Sequence, residues 1–266
     1  MEALHKWFPC LCASVLSLSV LLTMAYAQTT PPPPKQVNHQ LQTWVSLNTT
    51  YQLNRHWGTM ADVHIRRTDF VQDPSFYFIR FGPNFWIKDN LTASVGYAHL
   101  WTAPAREDYN TWGNENRINE QLVLSARSGR TTIVQRLRNE QRWQQRIVND
   151  QRTGQIRFTN RVRYLASFTI PVSRNPQKPA LVLAEEFLLQ FGKDVIYNTL
   201  DQNRLFIGIR QPINAQWSYD FGYMNVYQQL SSGYQYNMNH TIRLFFYFQG
   251  SRWRDPVAGA ESHQQP

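Results

Sequence analysis

Between Gln135 and Arg146 the chain reads QRLRNEQRWQQR, with Arg136, Arg138, Glu140, Arg142, Gln144 and Arg146 on alternate residues. A β-strand sends alternate side chains to opposite faces, so this row lines one face of a strand, whereas a helix would scatter it. Guanidinium and carboxylate groups placed this way can do two kinds of chemistry. They can pair with each other, because the planar guanidinium fork fits a carboxylate bidentately. They can also attract an anion, because positive charge exceeds negative. The same residue types recur nearby at Glu115, Arg117, Arg157, Arg161, Arg163, Arg204, Arg210 and Arg243. If their strands are neighbours, the groups form a cross-strand ladder. Glu185 and Glu186 are further candidates, one facing each way.

Catalytic signals are weak beside this. There is no G-x-S-x-G, no paired His-x-x-x-His and no glycine-rich phosphate loop. His99, near Trp101, suggests a lipid-interface base with Ser94 or Ser125 as nucleophile, but an interface histidine is the more ordinary reading. Glu140 with Glu185 or Glu186 suggests a glycosidase pair, yet so many arginines favour ion pairing. The only cysteines are Cys10 and Cys12, so the chain beyond them has neither disulfides nor thiolate metal sites. No catalytic residue, metal or cofactor is expected, and the protein is read as non-enzymatic.

The ends indicate where such strands work. Met1 to Ala27 has a basic start at Lys6, an apolar stretch from Leu11 to Met24, and small residues at Ala25-Tyr26-Ala27, the pattern of a secretory signal peptide. Residues 28–37 form a Pro-rich linker containing Pro31 to Pro34. Glu2 and Lys6 fall in the signal together, so the remainder keeps the net charge of +9. An exported chain rarely meets nucleic acid, and an inward ladder presents no phosphate-binding surface, so nucleic acid is excluded as a partner. No apolar run long enough for a membrane helix follows the signal, but a membrane β-barrel needs none.

Strand-like stretches then follow without a convincing helix: Asn38–Leu53, His56–Phe70, Ser75–Ile87, Leu91–Ala103, Glu115–Arg127, Arg130–Arg146, Gln155–Ile170, Ala180–Phe191, Gln202–Pro212, Gln216–Gln229 and Gly233–Phe248. Short turns such as Asn54-Arg55 and Ser128-Gly129 alternate with longer polar connections, Pro104–Asn114, Ile147–Gly154 and Gly192–Asp201. Within strands one face is apolar with aromatic ends (Leu205, Ile207, Ile209; Trp217, Tyr219, Phe221, Tyr223) and the other polar, charged or small. A soluble barrel or sandwich turns the apolar face inward and a membrane barrel turns it outward. Strand length, Trp and Tyr near strand ends, and the terminal Phe-Phe-Tyr-Phe favour the membrane form. The expected fold is therefore all-β: an antiparallel up-and-down transmembrane β-barrel of about 12 strands, with 10 as the alternative. Bacterial barrels have even numbers, which turns the eleven stretches into twelve. The barrel domain spans residues 38–248, and a polar tail spans residues 249–266.

The succession Glu115-Asn116-Arg117-Ile118-Asn119-Glu120-Gln121-Leu122, Gln135-Arg136-Leu137-Arg138-Asn139-Glu140-Gln141-Arg142, Arg161-Val162-Arg163-Tyr164, Gln202-Asn203-Arg204-Leu205 and Gly222-Tyr223-Met224-Asn225 resembles the bacterial family known as domain of unknown function 2490. The resemblance runs from about Gln40 to Phe248. Asn139 departs from it, standing where an apolar residue is expected. The resemblance implies an exported outer-membrane barrel of a Gram-negative bacterium and supplies no activity. Expected partners are outer-membrane lipid, the barrel-assembly machinery during biogenesis, and a small anionic solute if the lumen conducts. An envelope enzyme acting on lipid or glycan, and a soluble periplasmic ligand-binding barrel, are the alternatives.

Overall fold

The computed structural model describes residues 33–104 and 106–252. The chain divides into two units, residues 1–34 and 35–266. The expected signal peptide, most of the Pro-rich linker and the tail beyond Arg252 lie outside the described residues. Alternation of apolar and polar residues over 12 to 21 positions dictates extended chain, and among the described residues eleven strands form: β1 (Gln36–Gln52), β2 (Trp57–Thr68), β3 (Asp73–Lys88), β4 (Leu91–Thr102), β5 (Gly113–Ser128), β6 (Thr131–Val148), β7 (Gln151–Pro171), β8 (Ala180–Phe191), β9 (Leu200–Pro212), β10 (Trp217–Gln229) and β11 (Gln235–Ser251).

Each strand pairs antiparallel with the next, and β1 closes the barrel against β11. That last pairing is parallel, running in register from Gln36↔Gln235 to Gln52↔Ser251. Eleven stands one below the twelve expected, and the physical reason is this closure. With an odd number, the first and last strands run the same way, and slanted parallel hydrogen bonds complete the ring. No twelfth strand is then needed to remove the edges.

The boundaries differ from expectation at several strand ends, three of which bear on the expected linker, tail and loops. β1 takes in Gln36 and Val37, assigned above to the linker, and β11 continues to Ser251, into the expected tail. Ile147–Gly154, expected to be a polar loop, is mostly strand: β6 and β7 continue into it as far as the two-residue turn Asn149-Asp150. Both turn residues have positive φ, 48° and 60°, as a type I′ hairpin turn requires. The alternation of short and long connections is also incomplete. Residues 172–179, at the rim of otherwise short turns, form a connection as long as residues 192–199 at the opposite rim.

Inside and outside follow the two-residue period. Leu205 (56 % exposed) and Phe81 (57 %) point outward, while their chain neighbours Arg204, Phe206 and Arg80 are buried inward. Two glycines let strands close in on the inner face: a Cβ on Gly208 would lie 2.5 Å from the Phe221 carbonyl oxygen, opposite Gly222.

The β6–β7 turn anchors the β4–β5 connection. The Asp150 carboxylate accepts the backbone N–H groups of Asn110 (3.1 Å) and Thr111 (2.7 Å), and Thr111 Oγ1 donates to the Asp150 carbonyl (2.6 Å). These donors favour the charged form and hold the Asp150 carboxyl below its ordinary range. A depressed carboxyl stabilises the folded state above its unfolded pKa, and that contribution is lost as pH falls through the folded pKa. Asp150→Ala should therefore free residues 106–112 and speed tryptic cleavage after Arg106 at neutral pH. Acidification below about pH 4 should lower the exchange protection of the Asn110 and Thr111 amides in the wild type alone. Unchanged cleavage in the variant would show that the clip does not hold this connection.

Candidate functional site

The charged row of β6 faces the interior. Glu140, 3 % exposed, lies opposite Arg161 of β7 and diagonal to Arg163 in the strand register. It accepts Arg161 Nε at 2.9 Å and Nη2 at 2.5 Å, and Arg163 Nη1 at 2.8 Å. Arg138 and Arg117 approach it at 3.6 and 3.8 Å. One carboxylate thus sits within a cage of four guanidinium groups from β5, β6 and β7.

The cage continues in both directions. Glu186 on β8 accepts Arg163 Nη2 (2.7 Å), Arg136 Nη2 (2.7 Å) and Arg204 Nη1 (3.0 Å). Glu115 on β5 accepts Arg117 Nε and Arg142 Nε, each at 2.6 Å, and Gln144 Nε2 at 2.9 Å. Asp201 on β9 takes the remaining arm of Arg161, Nη1, at 2.8 Å. Arg138 donates to Gln121 Oε1 (2.8 Å). Nine of the sequence candidates (Glu115, Arg117, Arg136, Arg138, Glu140, Arg142, Arg161, Arg163 and Arg204) therefore meet in one lattice across β5 to β9. Arg210 belongs to a second cluster. It grips Asp220 through Nε (2.7 Å) and Nη2 (2.9 Å), joined by Arg243 and Tyr247.

Other candidates are placed elsewhere. Arg157 is near the rim, its Nη2 donating to the Asp194 carbonyl at 3.3 Å. Beside it lies an open mouth pocket lined also by Gln144, Gln145, Arg146 and Ser231. Arg146 itself is exposed and bonds Gln155. Glu185 points outward, away from Glu186. His99 is on the outer face, bonded to Asn116 (2.7 Å) and edge-on to Trp101, whereas Ser94 is buried inside. Ser125 is paired with Val134, far along β5 from Asn116. The sheet thus separates His99 from Ser94, and His99 forms no base–nucleophile pair with either serine. Glu140 and Glu186 share Arg163 between them, which saturates both carboxylates rather than leaving a reactive pair. Among the described residues, no cluster of three metal-ligating side chains occurs.

Several inward groups were not singled out from the sequence: Asp62 with Arg80, Asp201, Asp220, and Arg66. Each obeys the two-residue period of its own strand, which is the signal that would have found it. Arg66 is held without an ion pair among the described residues. Its guanidinium lies 3.2 Å from the Trp44 ring centroid and 4.1 Å from that of Phe76. Arg243 is similarly flanked by Phe206 and Phe245 at 4.0 and 4.2 Å. Ring faces stabilise cations where carboxylates are too few, and here the inward arginines outnumber Asp62, Glu115, Glu140, Glu186, Asp201 and Asp220.

Removing one partner of a buried ion pair leaves an uncompensated charge and costs about 3–5 kcal/mol. Glu140→Gln should reduce unfolding stability by that order, read by urea denaturation in detergent with tryptophan fluorescence. Asp201→Asn should cost clearly less, because Arg161 keeps Glu140. Equal losses for the two variants would contradict a lattice centred on Glu140.

Comparisons with known proteins agree with the family suggested by the charged strings. The model of the family described as "Protein of unknown function (DUF2490)" matches residues 41–237. No curated protein matches the chain. Among solved structures, the chain is similar to the siderophore receptor PirA from Pseudomonas aeruginosa, with a TM-score of 0.32 and 10% identity over 68% of this chain. The match covers 35% of that receptor, about a third of its length. A likeness this low carries no argument about this chain. With the family model extending from β1 into β11, the chain belongs to the DUF2490 family of proteins of unknown function.

Proposed function

We propose that this protein is a transmembrane β-barrel of the bacterial outer membrane, exported by its N-terminal signal, whose lumen is filled by the arginine–carboxylate lattice. It then serves as a structural, non-enzymatic element of the membrane. The observation that carries this reading is the apolar belt. Leu41, Val63, Phe81, Val95, Ile118, Leu137, Ile156, Leu183, Leu205 and Phe221 are exposed on ten successive strands, and β11 adds outward Ile242 and Leu244. Soluble monomers seldom expose an apolar patch beyond a few hundred Å². Burying such a surface is worth roughly 25 cal/mol per Å², so a belt around the whole barrel favours a lipid surrounding. The closed ring also leaves no unpaired strand edge, the condition for spanning hydrocarbon. A soluble periplasmic ligand binder would need the reverse arrangement, with its apolar face inside. The partners on this reading are outer-membrane lipid around the belt and the barrel-assembly machinery during insertion.

The lumen supports filling over conduction. Thr159, Leu188, Asp220 and Thr241, from four strands, are 0 % exposed, so water has no room beside them. Alongside the lattice, Trp44, Val182, Phe206, Met224 and Val226 form an apolar cluster inside the ring. A barrel of this size has an interior that side chains can fill. Passage of a small anionic solute would require the lattice to part. In planar bilayers the refolded protein should carry no steady current, and an anion-favouring conductance in the wild type would overturn the filled lumen. On fractionation, the protein should require detergent for extraction; a soluble monomer without detergent would overturn the membrane reading.

A further inference from the structure

Among the described residues, carboxylates interrupt the outer belt on one side only. Glu120, near the middle of β5, is exposed between outward Ile118 and Leu122. It accepts Asn139 Nδ2 at 3.0 Å and Gln141 Nε2 at 3.2 Å, both from β6. Glu185, near the middle of β8, is exposed between Leu183 and Phe187 and accepts Asn203 Nδ2 of β9 at 3.1 Å. Among the described residues neither carboxylate has an ion-pair partner. In hydrocarbon, an ionisable group facing lipid is costly and marks a functional site.

We infer that this wall, centred on β7, is an interface with a second copy of the same chain inside the membrane. The inference rests on the membrane reading above. The polar groups form two seams flanking β7, one on β5–β6 and one on β8–β9. Each seam carries an acceptor carboxylate and a carboxamide that retains a second N–H. A twofold axis over β7 sets the β5–β6 seam of one copy against the β8–β9 seam of the other, so that amide meets carboxylate on both sides. Self-complementarity of this kind is what an isologous dimer interface requires. The occupant is not a cationic partner segment, because each carboxylate already holds neutral amide donors that match the opposite seam. Between the seams, Leu137 and Tyr164 are exposed and supply apolar and aromatic contact area.

Both cysteines lie at positions 10 and 12, so single-cysteine variants of the exported protein report one site each. Leu137→Cys, on the wall, and Val63→Cys, on β2 at the far side, should be expressed in the outer membrane and treated with a membrane-permeant bifunctional maleimide. Leu137→Cys should give a species of twice the mass and Val63→Cys should not. Adding Glu120→Leu and Glu185→Leu to Leu137→Cys should abolish that dimer while the barrel keeps its heat-modifiable mobility. Equal crosslinking at both sites, none at either, or capture of a species of another mass at Leu137→Cys would overturn the proposal. A water-soluble maleimide separates this from failure of the membrane reading. If only the interface is wrong, both cysteines stay shielded in intact membranes; if the membrane reading is wrong, both are labelled without detergent.

Discussion

The sharing of Glu140 among several arginines is the interaction on which the barrel's interior depends. A guanidinium group moved out of water must find acceptors nearly all round, or its burial costs several kcal/mol. Arginine offers five N–H donors in a fixed fork, and the lattice uses them by splitting the fork. Arg161 gives Nε and Nη2 to Glu140 and Nη1 to Asp201. Arg163 bridges Glu140 and Glu186. Each arginine thereby ties two or three strands together, and each carboxylate ties at least as many. The strand register makes this feasible, since Glu140 faces Arg161 and Glu186 faces Arg204 directly across the ladder. Pairing and packing are one arrangement here: the long side chains that neutralise each other also occupy the space.

That interior fixes the meaning of the exterior. With the two-residue period, every charged group drawn inward sends its chain neighbours outward, so the lattice and the apolar belt are two faces of the same alternation. Arg136, Arg138, Glu140 and Arg142 point in, and Leu137 with Asn139 and Gln141 point out. Few sequences can satisfy the inner ladder and keep the outer belt wholly apolar. At Glu120 and Glu185 the belt turns polar although Gln121 and Glu186, the inward side chains beside them, are already paired with arginines. The two outward carboxylates need a cause on the outer surface.

Much of this was legible in the sequence because the period of a strand is short and its faces differ in character here. Ala180–Phe191 was placed to the residue, and the charged strings appear on neighbouring strands. The sequence reached its limit where both faces meet the same solvent. From Ile147 to Gly154 the chain reaches beyond the belt, polar residues fall on both sides, and the period vanishes although strand pairing continues to Asn149-Asp150. A second limit is register. The period of their own strands turns Asp62, Asp201 and Asp220 inward, but which arginine each meets, Arg80, Arg161 or Arg210, is set by the register of other strands. Which of Glu185 and Glu186 faces inward was likewise settled by pairing with β7 and β9 rather than by the dipeptide itself. Asn139, which departed from the expected apolar character, sits in the outer seam with Glu120.

The odd strand number ties these features to the rims. Because β1 and β11 run parallel, Gln36 and Ser251 lie at opposite ends of the barrel. The rim of Gln36 also carries the connection 103–112, the β6–β7 hairpin clipped by Asp150, and the loop 192–199. The mouth pocket with Arg146 and Arg157 opens there, above Glu115 and Arg142. The charged interior thus meets the mouth pocket at this rim and is extensively ion-paired below it. On the proposed reading of filling, the lumen gains rigidity from the same contacts that leave no room for water. Its closure is a consequence of how the arginines are neutralised rather than of a separate plug.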